Sequence, residues 1–290
     1  MMNKKKITPL LLVILSLSAL ASNTIAPITT IIAKDLQVSV NLVVLIVTTY
    51  FLGNAFGQII SGNLSDVKGR RKILIIGMVI FITSSISIIF INNIYFIISI
   101  TFIQGIGGGI LVTIYKSSIF DIYKGVKAQK IFSYLSSLYA LINIEAPFIG
   151  ILINDTFGWR YIYIFLSVIS LITLVIIILI FPKFKTNLNQ TPFWSRVKNM
   201  ISNTRFVLYS LIVLISYSLI LFMITLLPII FNDLDFMNNK HLPFSYAGMI
   251  LFYMIGNLIS VKYVTQPKKA VTIAFLLLFL LLITIFSSIY

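Results

Sequence analysis

Apolar stretches long enough to cross a bilayer as helices, about 20 residues each, follow one another along most of this chain. The polar stretches between them are too short to fold alone. The sequence is 59% hydrophobic and 10% charged over 290 residues, with mean hydropathy +1.06. A soluble domain cannot hide that much apolar surface. The runs are continuous rather than alternating, which excludes a membrane β-barrel. The expectation is an all-α, polytopic membrane protein with nine spans, near residues 7–32, 41–61, 72–91, 94–123, 129–152, 159–181, 205–231, 245–264 and 269–290.

The formal net charge is +15, which in a soluble protein would suggest nucleic acid. Its distribution argues otherwise. With the N-terminus in the cytoplasm, only Lys34, Arg160 and Lys240 of the 22 Lys and Arg fall on the outer side. Cations held on one face are a topology signal, so no nucleic-acid partner is expected. Cys is absent, which removes disulfides, thiolate catalysis and most metal sites; no cofactor and no metal centre are expected. The single His, His241, lies in the predicted outer loop between spans seven and eight. With no HExxH or paired-acid motif it offers little for enzyme chemistry. The N-terminus imitates a signal peptide, with Lys4–Lys6 before an apolar core. Its apolar character continues through Ile32, too far for a signal sequence, so it reads as an uncleaved first span.

Residues 183–204 form the longest polar connection and mix cations, Asn and Thr with Phe193 and Trp194, a pair suited to a membrane interface. They divide the chain into a six-span bundle (1–182) and a three-span partial bundle (205–290), the plan of a two-halved transporter. A weak repeat agrees: residues 62–68, GNLSDVK, recur as GNLISVK at 256–262. The second half then ends after three spans, so the expectation is a fragment or a shortened gene product.

Residues 62–74, GNLSDVKGRRKIL, read as a short basic hairpin between spans two and three. Gly62 and Gly69 would permit a tight turn and close helix approach, and Asp66 would accept turn amides or pair with Arg70 or Arg71. The pattern G-x-L-x-D-x-x-G-R-R-K resembles the signature loop of the major facilitator superfamily. Further matches are similar to its drug/proton antiporter branch and bicyclomycin-resistance-like group. Span four has Gln104, Gly105 and Gly107 in the family's Q-G-x-G. Span five has Ala146, Pro147 and Gly150, followed by Phe157-Gly158-Trp159-Arg160. Asp121 resembles the acid that completes the family's cytoplasmic charge cluster with Asp66, Arg70 and Arg71.

The resemblance implies a transporter in the cytoplasmic (inner) membrane that works by alternating access and is expected to be a monomer. A small-molecule substrate and protons would be its partners, and drug efflux its activity; the alternative is a non-transporting remnant. Three departures stand out. Thr101 replaces the family's buried Arg in span four, Asn23 replaces an Asp four residues before Pro27, and the helix that completes the interdomain charge latch is missing. Asn hydrogen-bonds as Asp does but carries no proton at neutral pH.

Glu145 is the only acid deep in an apolar run, about 10 Å inside the predicted end of span five. Ionised there, it costs roughly 3 kcal/mol. It must face a cavity, find a partner or stay protonated, and it is the candidate proton carrier. Lys116, at a similar depth from the other side, has a stem long enough to snorkel to the interface or could face the cavity. Gly105, Gly107, Gly108 and Gly109 lie in an apolar helix with no preceding strand and are not a nucleotide loop. Gly53 and Gly57 read as helix-packing positions. Asn54, Gln58, Gln104, Tyr139 and Asn143 are polar groups at membrane depth, suited to lining a cavity or to bonding between helices.

Overall fold

The computed structural model describes residues 4–182, 184, 193–215 and the single positions 218, 256 and 269. Described residues through 184 belong to one compact unit and 193–215 to a second; each is described by itself.

Six helical segments of the first unit are long and apolar enough to cross a membrane: Ile7–Asp35, Val40–Lys68, Arg70–Ile89, Ile94–Ile122, Gly125–Phe157 and Arg160–Ile180. The first is discontinuous. Helix α1 (Lys4–Asn23) stops, a 3-10 turn covers Ala26–Ile28, and α2 (Thr29–Asp35) completes the crossing. Pro27 lacks the N–H that would bond the Asn23 carbonyl, and the Ile28 N–H bonds the carbonyl of Ile25 instead of Thr24. The break therefore has a local cause.

Helices α3 (Val40–Lys68) and α4 (Arg70–Ile89) meet at Gly69, whose φ of 90° ends one helix and begins the next. This corrects the expected hairpin over 62–74, because residues 62–68 form the last turns of α3. Polar residues there mark the part of a long helix that leaves the hydrocarbon, not a loop. Gly62 is corrected with it: a Cβ at this position would meet nothing within 4 Å, so neither a turn nor a close approach requires glycine.

Helix α5 (Ile94–Ile122) is the centre of the unit. Its first turn is capped by Asn93, whose side chain accepts from the Tyr95 N–H at 2.9 Å. It packs along α3, α4, α1 and α6 (Gly125–Phe157), while α7 (Arg160–Ile180) closes against α4, α1 and α6. The seam between α3 and α5 is made of glycine. A Cβ at Gly53 would lie 2.0 Å from the Phe102 carbonyl oxygen, at Gly57 2.2 Å from that of Ile106, at Gly105 2.1 Å from that of Tyr50, and at Gly109 2.0 Å from that of Asn54. Two helices with small residues one turn apart can bring their backbones together, which is how helices associate where lipid removes the hydrophobic drive.

The second unit contains α8 (Phe193–Ile201) and an apolar helix over Thr204–Ile215, where the span expected near 205–231 begins. Apart from Ser218 the rest of that span lies outside the described residues, as do His241 and nearly all of residues 245–290, including all of the second copy of the repeat but Gly256.

Gly105→Ala pushes a methyl onto backbone that cannot move aside. We expect it to lower stability by roughly 1–3 kcal/mol, read as a fall in Tm of the detergent-solubilised protein. Gly62→Ala sits in open helix and should gain about 0.5–1 kcal/mol from its helix preference.

Candidate functional site

Three polar features sit at different depths of the first unit. At one rim, where α3 ends and α4 begins, Arg70 bridges two acids. Its guanidinium pairs with Asp121 at the end of α5 through Nε, and its NH2 donates at 3.2 Å; Asp66, one turn back across the Gly69 junction, lies 3.6 Å away. The side chains of Arg70 and Asp121 are 17% and 31% exposed, so water screens the pair only in part. Arg71 stands aside from these acids and donates to the carbonyl of Ile178 near the end of α7. Thus Asp66, Arg70 and Asp121 come together, while Arg71 ties α4 to α7.

At the opposite rim, Asp35 closes α2. Its carboxylate accepts from Trp159 Nε1 at 2.9 Å and from Arg160 at 2.8 Å, and Arg160 also donates to Asn92 at 2.6 Å. The guanidinium lies 4.2 Å from the centroid of the Trp159 ring, a cation–π contact. The sequence reading noted Trp159 and Arg160 but missed Asp35. The available signal was charge: Asp35 is an acid at the end of an apolar run, on the same predicted side as Arg160.

Between the rims runs a polar seam. The Tyr50 hydroxyl donates to the Ser18 carbonyl at 3.0 Å and lies 3.1 Å from the Ser18 hydroxyl. Asn54 donates to the Ser18 hydroxyl at 3.0 Å, Gln58 to Asn54 at 2.8 Å, and Thr113 to the Gln58 carbonyl at 3.4 Å. Gly108 makes room for this seam, since a Cβ there would lie 2.4 Å from the Tyr50 hydroxyl. Asn23, the last residue of α1, donates to Asn143 on α6 at 2.8 Å, and Asn143 donates to its own helix at Tyr139. Gly150 lets α6 approach the break in α1, its Cβ position falling 2.1 Å from the Thr24 carbonyl oxygen. Pro147 lies within α6, which runs on past it without ending. Gln104 is buried and donates to Ser85 on α4 at 2.8 Å.

Glu145 is not part of this seam. Helix α6 runs on to Phe157, so Glu145 lies about 18 Å from the helix end, because the helix is longer than the predicted span. At about 100° per residue, it sits roughly 130° round the helix from the stripe of Tyr139, Asn143, Ala146 and Gly150 that faces α1. Its side chain is exposed, on the same face as Phe148 and Leu152, with no hydrogen bond or ion pair to any described residue. Lys116 is likewise exposed and without such a partner, about 9 Å from the end of α5. The two charges do not pair.

A family model for the Major Facilitator Superfamily matches residues 11–290. The chain belongs to this superfamily. Among its relatives, the bicyclomycin resistance protein homolog of Haemophilus influenzae is 28% identical over 161 residues, which is 56% of this chain and 40% of that protein. The chloramphenicol resistance protein CraA of Acinetobacter baumannii is 23% identical over 269 residues, 91% of this chain and 65% of that protein. The chain therefore spans less than two thirds of the length of these relatives. Among solved structures, the proton:xylose symporter XylE bound to 6-bromo-6-deoxy-D-glucose superposes with a TM-score of 0.61 at 15% identity, over 90% of this chain and 69% of that one. At that identity the likeness establishes the fold.

In this superfamily member, Thr101, where the resemblance suggests Arg, returns its hydroxyl to its own helix, donating to the carbonyls of Ile97 and Ile98. It also lies 3.2 Å from the hydroxyl of Thr49. The position is thus filled by a hydroxyl pair that is satisfied without any ion.

A double-mutant cycle of Arg70→Gln and Asp121→Asn, read by thermal unfolding, should give a coupling on the order of 1 kcal/mol. The same cycle for Arg70 and Asp66 should give a few tenths, because that contact is longer and lies on the i,i+4 surface of adjoining helices.

Proposed function

We propose that the protein is a secondary active transporter that exports drugs or other amphipathic small molecules, driven by a proton gradient. The observation that carries this reading is the superfamily match over residues 11–290, joined to relatives whose names record resistance to bicyclomycin and chloramphenicol. The working cycle is alternating access, in which two helical bundles rock about a site near the midplane. The chain crosses the cell membrane nine times from a cytoplasmic N-terminus and acts as a monomer.

Within that cycle, Asp66, Arg70 and Asp121 serve as a cytoplasmic gate cluster and not as a substrate site, with Arg71 tying α4 to α7 beside them. Their support is the charge pairing at the junction of α3, α4 and α5. Glu145 is the proton-coupling residue. Its support is that it is an acid within an apolar run with no hydrogen bond or ion pair to any described residue, where an ionised carboxylate is costly. Asn23, Asn143, Thr101, Gln104 and Lys116 are candidates for shaping the cavity. The Asn23–Asn143 pair is neutral and binds by hydrogen bonding alone.

Purified protein in vesicles with an imposed pH gradient is expected to move a fluorescent cationic drug, and Glu145→Gln to abolish that movement. Transport that persists after the gradient is collapsed would remove proton coupling. Correctly inserted protein that moves nothing would overturn the transport reading.

A further inference from the structure

Helix α8, Phe193–Ile201, has a pattern that the transport reading does not use. At about 100° per residue, Phe193, Trp194, Val197, Met200 and Ile201 occupy positions within an arc of about 120°. Arg196 and Lys198 occupy positions roughly 100° to either side of the centre of that arc, and Ser195 and Asn199 complete the opposite face. Among the described side chains of the arc, Met200 is 47% and Ile201 65% exposed and Val197 is half-buried. The apolar arc is therefore open over its last turn.

Two further observations say what covers it. The first is charge: no Asp or Glu lies between Asp155 and Asp233 in the sequence, while Lys183, Lys185, Arg196, Lys198 and Arg205 fall within or on either side of the helix in sequence. The second is connectivity. Helix α7 ends at Ile180 and the apolar helix Thr204–Ile215 begins within a few residues of Ile201. The chain between them is tethered at both ends to apolar helices and cannot travel far from the membrane. A short amphipathic helix with aromatic and aliphatic residues on one face and flanking cations lies in the headgroup plane, with Lys and Arg stems reaching to phosphate.

We propose that α8 is an interfacial helix that docks on anionic phospholipid, its apolar arc sunk below the headgroups and Arg196 and Lys198 paired with lipid phosphates. Each cation close to an anionic surface strengthens partitioning roughly fivefold, so the docking depends on lipid charge as well as on apolar contact. The central connection of the chain is then a membrane-bound element whose position responds to lipid composition and salt.

The absence of native Cys makes the test direct. Single-cysteine variants Met200→Cys and Asn199→Cys of the full chain, labelled with a polarity-sensitive fluorophore, are reconstituted in phosphatidylcholine vesicles with or without phosphatidylglycerol. With phosphatidylglycerol, the Met200 probe should shift to the blue and be quenched by a nitroxide on the lipid chain, while the Asn199 probe stays accessible to iodide. Arg196→Gln with Lys198→Gln should weaken the Met200 response by about 20-fold or more, from two cations, and Lys198→Arg should leave it intact. Equal water accessibility of both probes in phosphatidylglycerol vesicles would overturn the proposal. So would equal lipid quenching at Met200 in pure phosphatidylcholine, or a Met200 probe shielded from water but untouched by the lipid nitroxide, which would mean a protein cover.

Discussion

The backbone contact between α3 and α5 is the constraint on which the rest of the first unit depends. In lipid there is no hydrophobic drive to press helices together, so association falls to close packing and to hydrogen bonds between them. Gly53 and Gly57 on one helix, with Gly105 and Gly109 on the other, place backbone against backbone at distances that a single Cβ would forbid. Paired positions advance together along both helices, so α3 and α5 run parallel and in register. That register carries Tyr50, Asn54 and Gln58 to the line where α1 offers Ser18. Continued to the rim, it sets the Gly69 junction beside the end of α5, where Arg70 meets Asp121. The polar seam and the charge cluster are both consequences of one glycine-lined contact.

The broken first helix follows a related logic. A proline within a membrane-crossing segment frees carbonyls that lipid cannot satisfy, so such a break is tolerated where protein packs against it or where it lines a cavity; here Ala26 and Pro27 are exposed while Thr24, Ile25 and Ile28 are buried. Gly150 brings α6 against the Thr24 carbonyl, and the Asn23–Asn143 bond joins the two helices at that level. The substitution of Asn for the Asp that the resemblance suggests leaves a neutral pair, which carries none of the desolvation cost of an ion at this depth.

Much of this was legible in the sequence, for physical reasons that differ by element. The six crossings of the first unit were readable because an unbroken apolar run has no other use, and Gly53 and Gly57 because small residues one turn apart signal close packing. The stretch 62–68 was misread as a loop, since polar residues at the end of a 29-residue helix look the same in sequence as a turn. The end of the fifth span was placed too early for the same reason: the helix continues past residue 152 to Phe157, and Gly158, with φ of 100°, stops it. Pairings such as Asn23 with Asn143, or Asp35 with Arg160, join residues more than 100 positions apart. Their partners are chosen by packing, which no local pattern encodes.

Charge is arranged so that it does not compete with this packing. Asp66, Arg70 and Asp121 hold one rim, and Asp35 with Arg160 holds the other, where water offsets the cost of ionisation and the pairs need only fix helix ends. The buried seam between them is built from hydroxyls and amides, which satisfy one another without any ionised member. Glu145 and Lys116 are the charged side chains left between the rims among the described residues, and neither touches the seam. Because Glu145 sits roughly 130° away from the stripe that packs on α1, it stands apart from the bonds that hold α6 in place. A carboxyl at Asn143 would instead have set an ion into the contact between α6 and the break in α1.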